Sequence, residues 1–443
     1  MALAVAACAS DEPPVLAADK EPTVALVSAP ATPAAAHAKT EVSKTDLGNL
    51  IERAPKSTVG GERLNVDLLR RFYARHAFAP VWNTRQAQAD ALVEVVLRAG
   101  DHGLDPERFH ATSLRSRESL TRLDRELLLS DAFLSYADAL ARGAMPVERR
   151  RDDEVLKPEP IDVAAELDAA IASPEPAVAL EALAPTTPTY RLLRQALKVI
   201  HTGFLVGGAA ATTREREIVV NLERERWLPR RLPAERVWVN VADQRLEFYR
   251  DDRVVFSTRV IVGQEDRRNQ SPEFQATIER VSFNPPWVIP DDIAKNEILP
   301  LAKKDPTYLA KHNMELMPDG VLQQKGGGNS GLGHFLFELP NKFDVYLHDT
   351  PTRNLFLRDG RRLSHGCIRV ENAHQMAALL MKQPLEVIDR EIATGNTERR
   401  AVPKPVPVFV VYETAFAEFD GQLQFRPDVY GRDAEIWQYL KRK

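Results

Sequence analysis

Cysteine is almost missing from this 443-residue chain, which holds only Cys8 and Cys367. Two cysteines so far apart exclude a disulfide-dense scaffold. Long apolar runs are missing too. No stretch reaches the roughly 20 apolar residues that a membrane-crossing helix needs, so none is expected. A basic excess is also lacking: 59 Lys and Arg stand against 63 Asp and Glu, for a net charge of -4. That balance speaks against a nucleic-acid partner and leaves small or neutral substrates open. What remains is a globular composition, 44% hydrophobic and 28% charged. The length is too great for one ordinary core, so two or three units are expected.

Cys8 follows a short apolar, alanine-rich start and resembles the lipobox of a bacterial lipoprotein signal. The charged n-region of such a signal is missing, so an alanine-rich end without that role is the alternative. If Cys8 is lipidated, Cys367 is a lone thiol in an oxidising compartment, where it is either used or a liability. Residues 9–60 are rich in Ala, Pro, Thr and Lys without an apolar period, which reads as a tether. The first 60 residues are therefore expected to be a signal remnant and tether.

From 61 to 234 the apolar residues recur at helical spacing, as in Leu68, Leu69, Phe72 and Tyr73, or Leu92, Val95, Val96 and Ala99. Residues 150–190, rich in Pro, Ala and Glu, are expected to include a loop, and the run from Gly207 to Thr213 reads as a break. Residues 214–226 read as a charged helix. Near 235 the period changes to two: Val237, Val239 and Val241 alternate with Trp238, Asn240 and Ala242. Short strands continue to about 400, interrupted by helical segments near 293–301 and 306–312. The run 323–331, Gln-Gln-Lys-Gly-Gly-Gly-Asn-Ser-Gly, looks like a mobile loop. The expected fold is α+β: a helical domain over 61–234, a mainly β domain over 235–400 with a capping insertion at about 290–335, and an extension over 401–443.

Chemistry concentrates in His348-Asp349-Thr350 and Ser364-His365-Gly366-Cys367-Ile368-Arg369. A thiol nucleophile needs access, a base or cation that favours thiolate, and donors for the developing oxyanion. Gly366 lets backbone approach a substrate, His348 and His365 are both candidates for the base, and Arg369 supplies fixed charge. Each residue alone has an ordinary explanation: an inert buried Cys, a hydrogen-bonded core His, a surface Arg. Together they leave catalysis and structure about evenly matched on spacing alone. Zinc would need a further carboxylate ligand beside one Cys and two His.

The runs Val345-Tyr346-Leu347-His348-Asp349-Thr350-Pro351 and Ser364-His365-Gly366-Cys367-Ile368-Arg369-Val370-Glu371-Asn372 resemble the signature of the YkuD-type L,D-transpeptidases, and most closely their large YcbB-like branch. The spacing of His348 and Cys367, 367 − 348 = 19, matches that branch. The run Asn284-Pro285-Pro286-Trp287 resembles its catalytic domain, Asp428-Val429-Tyr430-Gly431-Arg432-Asp433 its C-terminal end, and His102-Gly103-Leu104-Asp105-Pro106 its helical scaffold.

The resemblance implies a peptidoglycan-modifying enzyme with Cys367 as nucleophile and His348 as base. Ser364, His365, Gly366 and Arg369 would shape the pocket and oxyanion hole. Tyr346, Trp287, Asn284 and Asp349 would meet the substrate. It implies no cofactor and no metal. The implied partners are stem peptides (a donor tetrapeptide and an acceptor with a diaminopimelate amine), cell-wall synthases, and a membrane through lipidated Cys8. The implied place is the periplasm of a Gram-negative bacterium. The expected reaction is 3-3 cross-linking through a thioester; carboxypeptidase, lipoprotein-attaching and non-catalytic scaffold roles are the alternatives. Too few residues separate the helical and β parts to hold the peptidoglycan-binding module usual in the branch. His334 also stands where a basic residue is usual.

Overall fold

The computed structural model describes residues 47–49, 51, 58–59, 61–116, 120–202 and 209–441. The lipidation expected at Cys8 falls outside them. The N-terminal part is helical: α1 (Val66–Arg75), α2 (Gln86–Leu97), α3 (Arg122–Arg142), α4 (Val163–Ala172), α5 (Pro188–His201) and α6 (Ala209–Glu225). The central helix is α3, which starts where Thr121 accepts a hydrogen bond from the Asp124 amide. It is buried on nearly every side, so even its polar residues must find partners. Glu126 accepts from the amides of Val81 (2.5 Å) and Trp82 (3.2 Å) and from the Tyr73 hydroxyl (2.9 Å).

Two expectations need correction here, and a third is refined. Helix α6 begins at Ala209, inside the run expected to be a break. The loop expected within 150–190 lies at 150–162; the rest holds α4 and a short helix, Pro176–Glu181, because Val163, Leu167, Ile171 and Leu180 are apolar at helical spacing and all buried. The tether was expected to reach residue 60, yet Leu47, Ile51 and Val59 are buried in the helical core.

The second part is built on β1 (Arg236–Asn240), β2 (Arg245–Arg250), β3 (Arg253–Gly263), β4 (Phe274–Phe283), β5 (Trp287–Val288), β6 (Met314–Leu316), β7 (Leu322–Gln324), β8 (Phe335–Glu338), β9 (Leu347–His348), β10 (Arg362–Ser364) and β11 (Ile368–Val370). Helices α7 (Ala373–Met381) and α8 (Leu385–Ala393) follow, then β12 (Glu398–Val411), the hairpin β13 (Ala415–Ala417) and β14 (Leu423–Phe425), and α9 (Arg432–Leu440). One nine-stranded sheet runs in the order β10-β3-β11-β9-β8-β4-β12-β1-β2. Because β2 also pairs with β3, the sheet closes on itself and β10 hangs from it as a spur.

Alternation along the strands separates two cores. Val237, Val239, Val408 and Val410 point into the barrel. Phe409 and Val411 are buried in the helical core, with Trp238 packed against it. The two parts therefore share one sheet as a wall. The boundary expected at 400/401 falls inside β12, whose residues on both sides of it pair with β4.

Ion pairs cross the same wall. Arg432 is fully buried and reaches Glu273 (2.8 Å), Asp153 (2.7 Å) and the Ser271 carbonyl (3.0 Å). Arg224 pairs with Asp433 at 2.6 Å. The strands β5, β7 and β6 form a separate small sheet with its own apolar cluster of Ile289, Ala294, Ile298 and Leu322. This is a cap with a miniature core.

Candidate active site

Parallel pairing of β9 with β11 sets Leu347 beside Ile368 and His348 beside Arg369. Successive residues alternate between faces, so Leu347 and Ile368 enter the barrel core. Tyr346, His348, Cys367 and Arg369 consequently share the opposite face. Cys367 lies one residue before β11, next to Tyr346, and the Ile368 amide donates to the Tyr346 carbonyl at 2.9 Å. Cys367 is partly exposed, and its sulfur lies 4.0 Å from the Asp344 carbonyl.

The loop that presents Cys367 is fixed from within. Gly366 has φ +108°, a conformation that a side chain would strain. Ser364 donates to the Cys367 carbonyl at 2.5 Å and accepts from the Gly366 amide at 3.3 Å. The Ser271 hydroxyl donates to the Gly366 carbonyl (2.7 Å) and accepts from the Gly263 amide (2.9 Å). The Tyr430 hydroxyl donates to the Gly263 carbonyl at 2.5 Å, and Arg432 holds the Ser271 carbonyl. Arg151 reaches Gln270, the next residue back, at 2.8 Å. Helical part and C-terminal segment thus both brace the cysteine loop.

His348 is 5% exposed, and its Nδ1 lies 2.6 Å from the Asp349 carbonyl. A carbonyl can only accept, so Nδ1 carries the proton and Nε2 keeps its lone pair. Burial, helped by the positive charge of Arg369, drives the His348 pKa down to about 3. Burial pushes the Cys367 thiol up, opposed by a backbone hydrogen bond from Tyr346 and by Arg369. Resting thiol and imidazole are both neutral. Arg369 is itself pushed down by burial and leaves Nε without a hydrogen-bond partner. Its charge therefore favours thiolate while disfavouring imidazolium.

The remaining expected residues divide. Tyr346 and Trp287 are partly exposed, Tyr346 beside the sulfur and Trp287 in the cap, over Gly331. His365 is engaged elsewhere: its Nε2 meets Glu297 of the cap at 2.8 Å. Asn284 and Asp349 do not face a ligand, contrary to expectation. Asn284 is fully buried, donates to the carbonyls of Ile392 (3.0 Å) and Asn396 (3.2 Å), and meets His334 Nδ1 at 2.8 Å. Asp349 is 1% exposed, accepts from the His334 amide at 2.8 Å, and lies 2.5 Å from Arg353. Both are positioning residues.

The glycine-rich run is correspondingly not a free loop. A Cβ on Gly326 would sit 2.0 Å from the Asn284 carbonyl oxygen, and one on Gly333 2.4 Å from the Asp349 carboxylate. These glycines permit close packing. Sequence reasoning gave no role to Ser271, Tyr430, Arg432 or Glu297. The run 428–433 stands out as a motif, but nothing local in it points to a cysteine loop some 60 positions upstream.

Residues 67–197 match the Scaffold domain family, and residues 234–402 match the YkuD family, the L,D-transpeptidase catalytic domain. The chain thus carries a scaffold domain followed by a YkuD-type L,D-transpeptidase catalytic domain. A Haemophilus influenzae protein, named as a candidate L,D-transpeptidase, is 28% identical over 398 residues, which are 83% of this chain and 78% of that protein. An Enterococcus faecium L,D-transpeptidase mutant crystal structure is 13% identical over 41% of this chain and 50% of its own, with a TM-score of 0.21. The Mycobacterium smegmatis L,D-transpeptidase is 14% identical over 40% of this chain and 58% of its own, with a TM-score of 0.23.

Proposed function

We propose that the chain cross-links peptidoglycan stem peptides through a thioester on Cys367. The observation that carries this reading is the β9–β11 register, which sets Cys367, His348 and Arg369 on one face. His348 Nε2 takes the thiol proton as sulfur attacks the carbonyl of the third residue of a donor tetrapeptide. The Cys367 amide, between the Gly366 and Ile368 amides that are already engaged, is the backbone donor assigned to the oxyanion. The C–N bond breaks, and terminal D-alanine leaves with the proton from His348. A second stem's amine then attacks the thioester, gives a proton to His348, and frees the thiol with a 3-3 link formed. The thioester keeps the energy of the cleaved amide, so no nucleotide is consumed. The substrate places the work in the periplasm.

Incubation with disaccharide-tetrapeptide, read by mass spectrometry, tests this. The reading expects dimers that vanish in Cys367→Ala. Tripeptide without dimer would make it a carboxypeptidase instead. Unchanged substrate and no thiol acylation by a carbapenem would leave a non-catalytic scaffold.

A further inference from the structure

A cleft of about 920 Å3 opens between the scaffold, the outer face of β1 and β2, and the β13–β14 hairpin. Its lining includes none of the residues around Cys367. Aromatic surface is available in it: Trp238 is only partly buried, and Phe419 at the hairpin turn is 86% exposed. Five arginines and six acidic residues line it, and part of this charge is matched internally. Arg236 pairs with Asp252 at 2.7 Å, and Arg245 lies 3.5 Å from Asp243. Tyr249 donates to Glu247 at 2.7 Å. Glu225 and Glu413 are buried side by side, and burial raises both carboxyls. Two acids so close cannot both ionise, so the cleft adds little net charge there.

This surface suits neither an anion, which would meet the acids, nor a cation, which would meet the arginines. A purely apolar ligand would strand buried carboxyls. An uncharged sugar fits: its hydroxyls and amides exchange hydrogen bonds with carboxyl and guanidinium groups, and its C–H face covers an aromatic ring. The volume lies within the usual range for ligand sites, which favour domain junctions. We propose that this cleft is a second binding site and that it takes an uncharged segment of N-acetylated amino-sugar chain. That the sugar belongs to the wall rests on the function proposed above; the cleft's preference for a neutral saccharide does not.

The test uses the full chain and penta-N-acetylchitopentaose, which carries no stem peptide and so reads the cleft alone. Titration calorimetry should show binding that Trp238→Ala and Phe419→Ala each weaken by about fivefold or more, the worth of one aromatic contact. Phe419 is too exposed for its loss to threaten folding, so that variant stands if Trp238→Ala fails to fold. Phe419→Ala should keep the wild-type rate of Cys367 acylation by a small tetrapeptide. Saccharide binding without stem-peptide dimers would sink the cross-linking reading and leave the cleft standing. No binding at roughly 10 mM saccharide, or binding that Phe419→Ala leaves within about twofold, overturns the proposal.

Discussion

Replacing Ser271 by alanine removes one hydroxyl that holds two backbone groups. Ser271 is fully buried, its Oγ 2.7 Å from the Gly366 carbonyl and 2.9 Å from the Gly263 amide. Alanine leaves that acceptor and that donor without the partner, at about 1–3 kcal/mol for each buried unsatisfied group. Partial rearrangement brings the expected loss to roughly 2–4 kcal/mol. Part of it is local, because the Gly366 carbonyl belongs to the peptide bond of Cys367. The loop should loosen before the barrel does. Urea denaturation measures the global share, and the alkylation rate of Cys367 by iodoacetamide measures the local one. A destabilised variant whose thiol also reacts at an altered rate is expected. A loss under about 0.5 kcal/mol, within the range of ordinary surface changes, together with unchanged alkylation would refute the bracing role.

Three further outcomes are expected. His348 has a pKa of about 3 when folded against 6.5 when unfolded, so between these values only the unfolded chain binds the proton. The His348 contribution to stability should therefore rise with pH across that window, against the opposite contribution of the buried acids Glu154, Glu225 and Glu413, whose carboxyls burial raises; His348→Asn should make the slope of stability with pH less positive than in the wild type, and an unaltered slope in urea titrations would contradict it. Arg432→Met leaves Glu273, Asp153 and Glu154 without their shared cation and should cost about 3–5 kcal/mol by denaturation; a cost below about 1 kcal/mol would mean that the acids find other partners or take up protons. His365 and Glu297 are both substantially exposed, so Glu297→Gln should change overall stability by no more than about 1 kcal/mol while speeding amide exchange across 287–324; a rigid, unaltered cap would show that this pair is not a latch.

Much of this was legible in the chain itself. The change from helical to alternating period near 235 marks β1, where Val237 and Val239 enter the barrel. The pair His348 and Cys367 stands out because chemistry clusters around it. What stayed hidden is what local pattern cannot carry. The charged run ending at Arg226 reads like a solvated helix, yet Glu223 and Arg226 are completely buried and pair at 2.9 Å. Their burial depends on Tyr190 and on the His102 carbonyl, which are distant in sequence. Asn284 and Asp349 sit beside the motif residues, so the resemblance put them against substrate, whereas packing turned them inward. The glycine-rich run shows the same limit: composition gives freedom of the backbone, and only the neighbours show that this freedom is used to fit.

Strand β12 finally bears on how this enzyme can be taken apart. A fragment cut where the catalytic-domain match ends, at residue 402, would keep the pairing of residues 398–401 and lose residues 406–411. The upper part of β4 and the whole of β1 would then lie next to open edges, ready to recruit strands from other molecules. A dissection meant to isolate the chemistry would more readily yield an aggregate than a smaller enzyme. The wall between the two cores behaves as a keystone: neither side can be cut free without laying the other open.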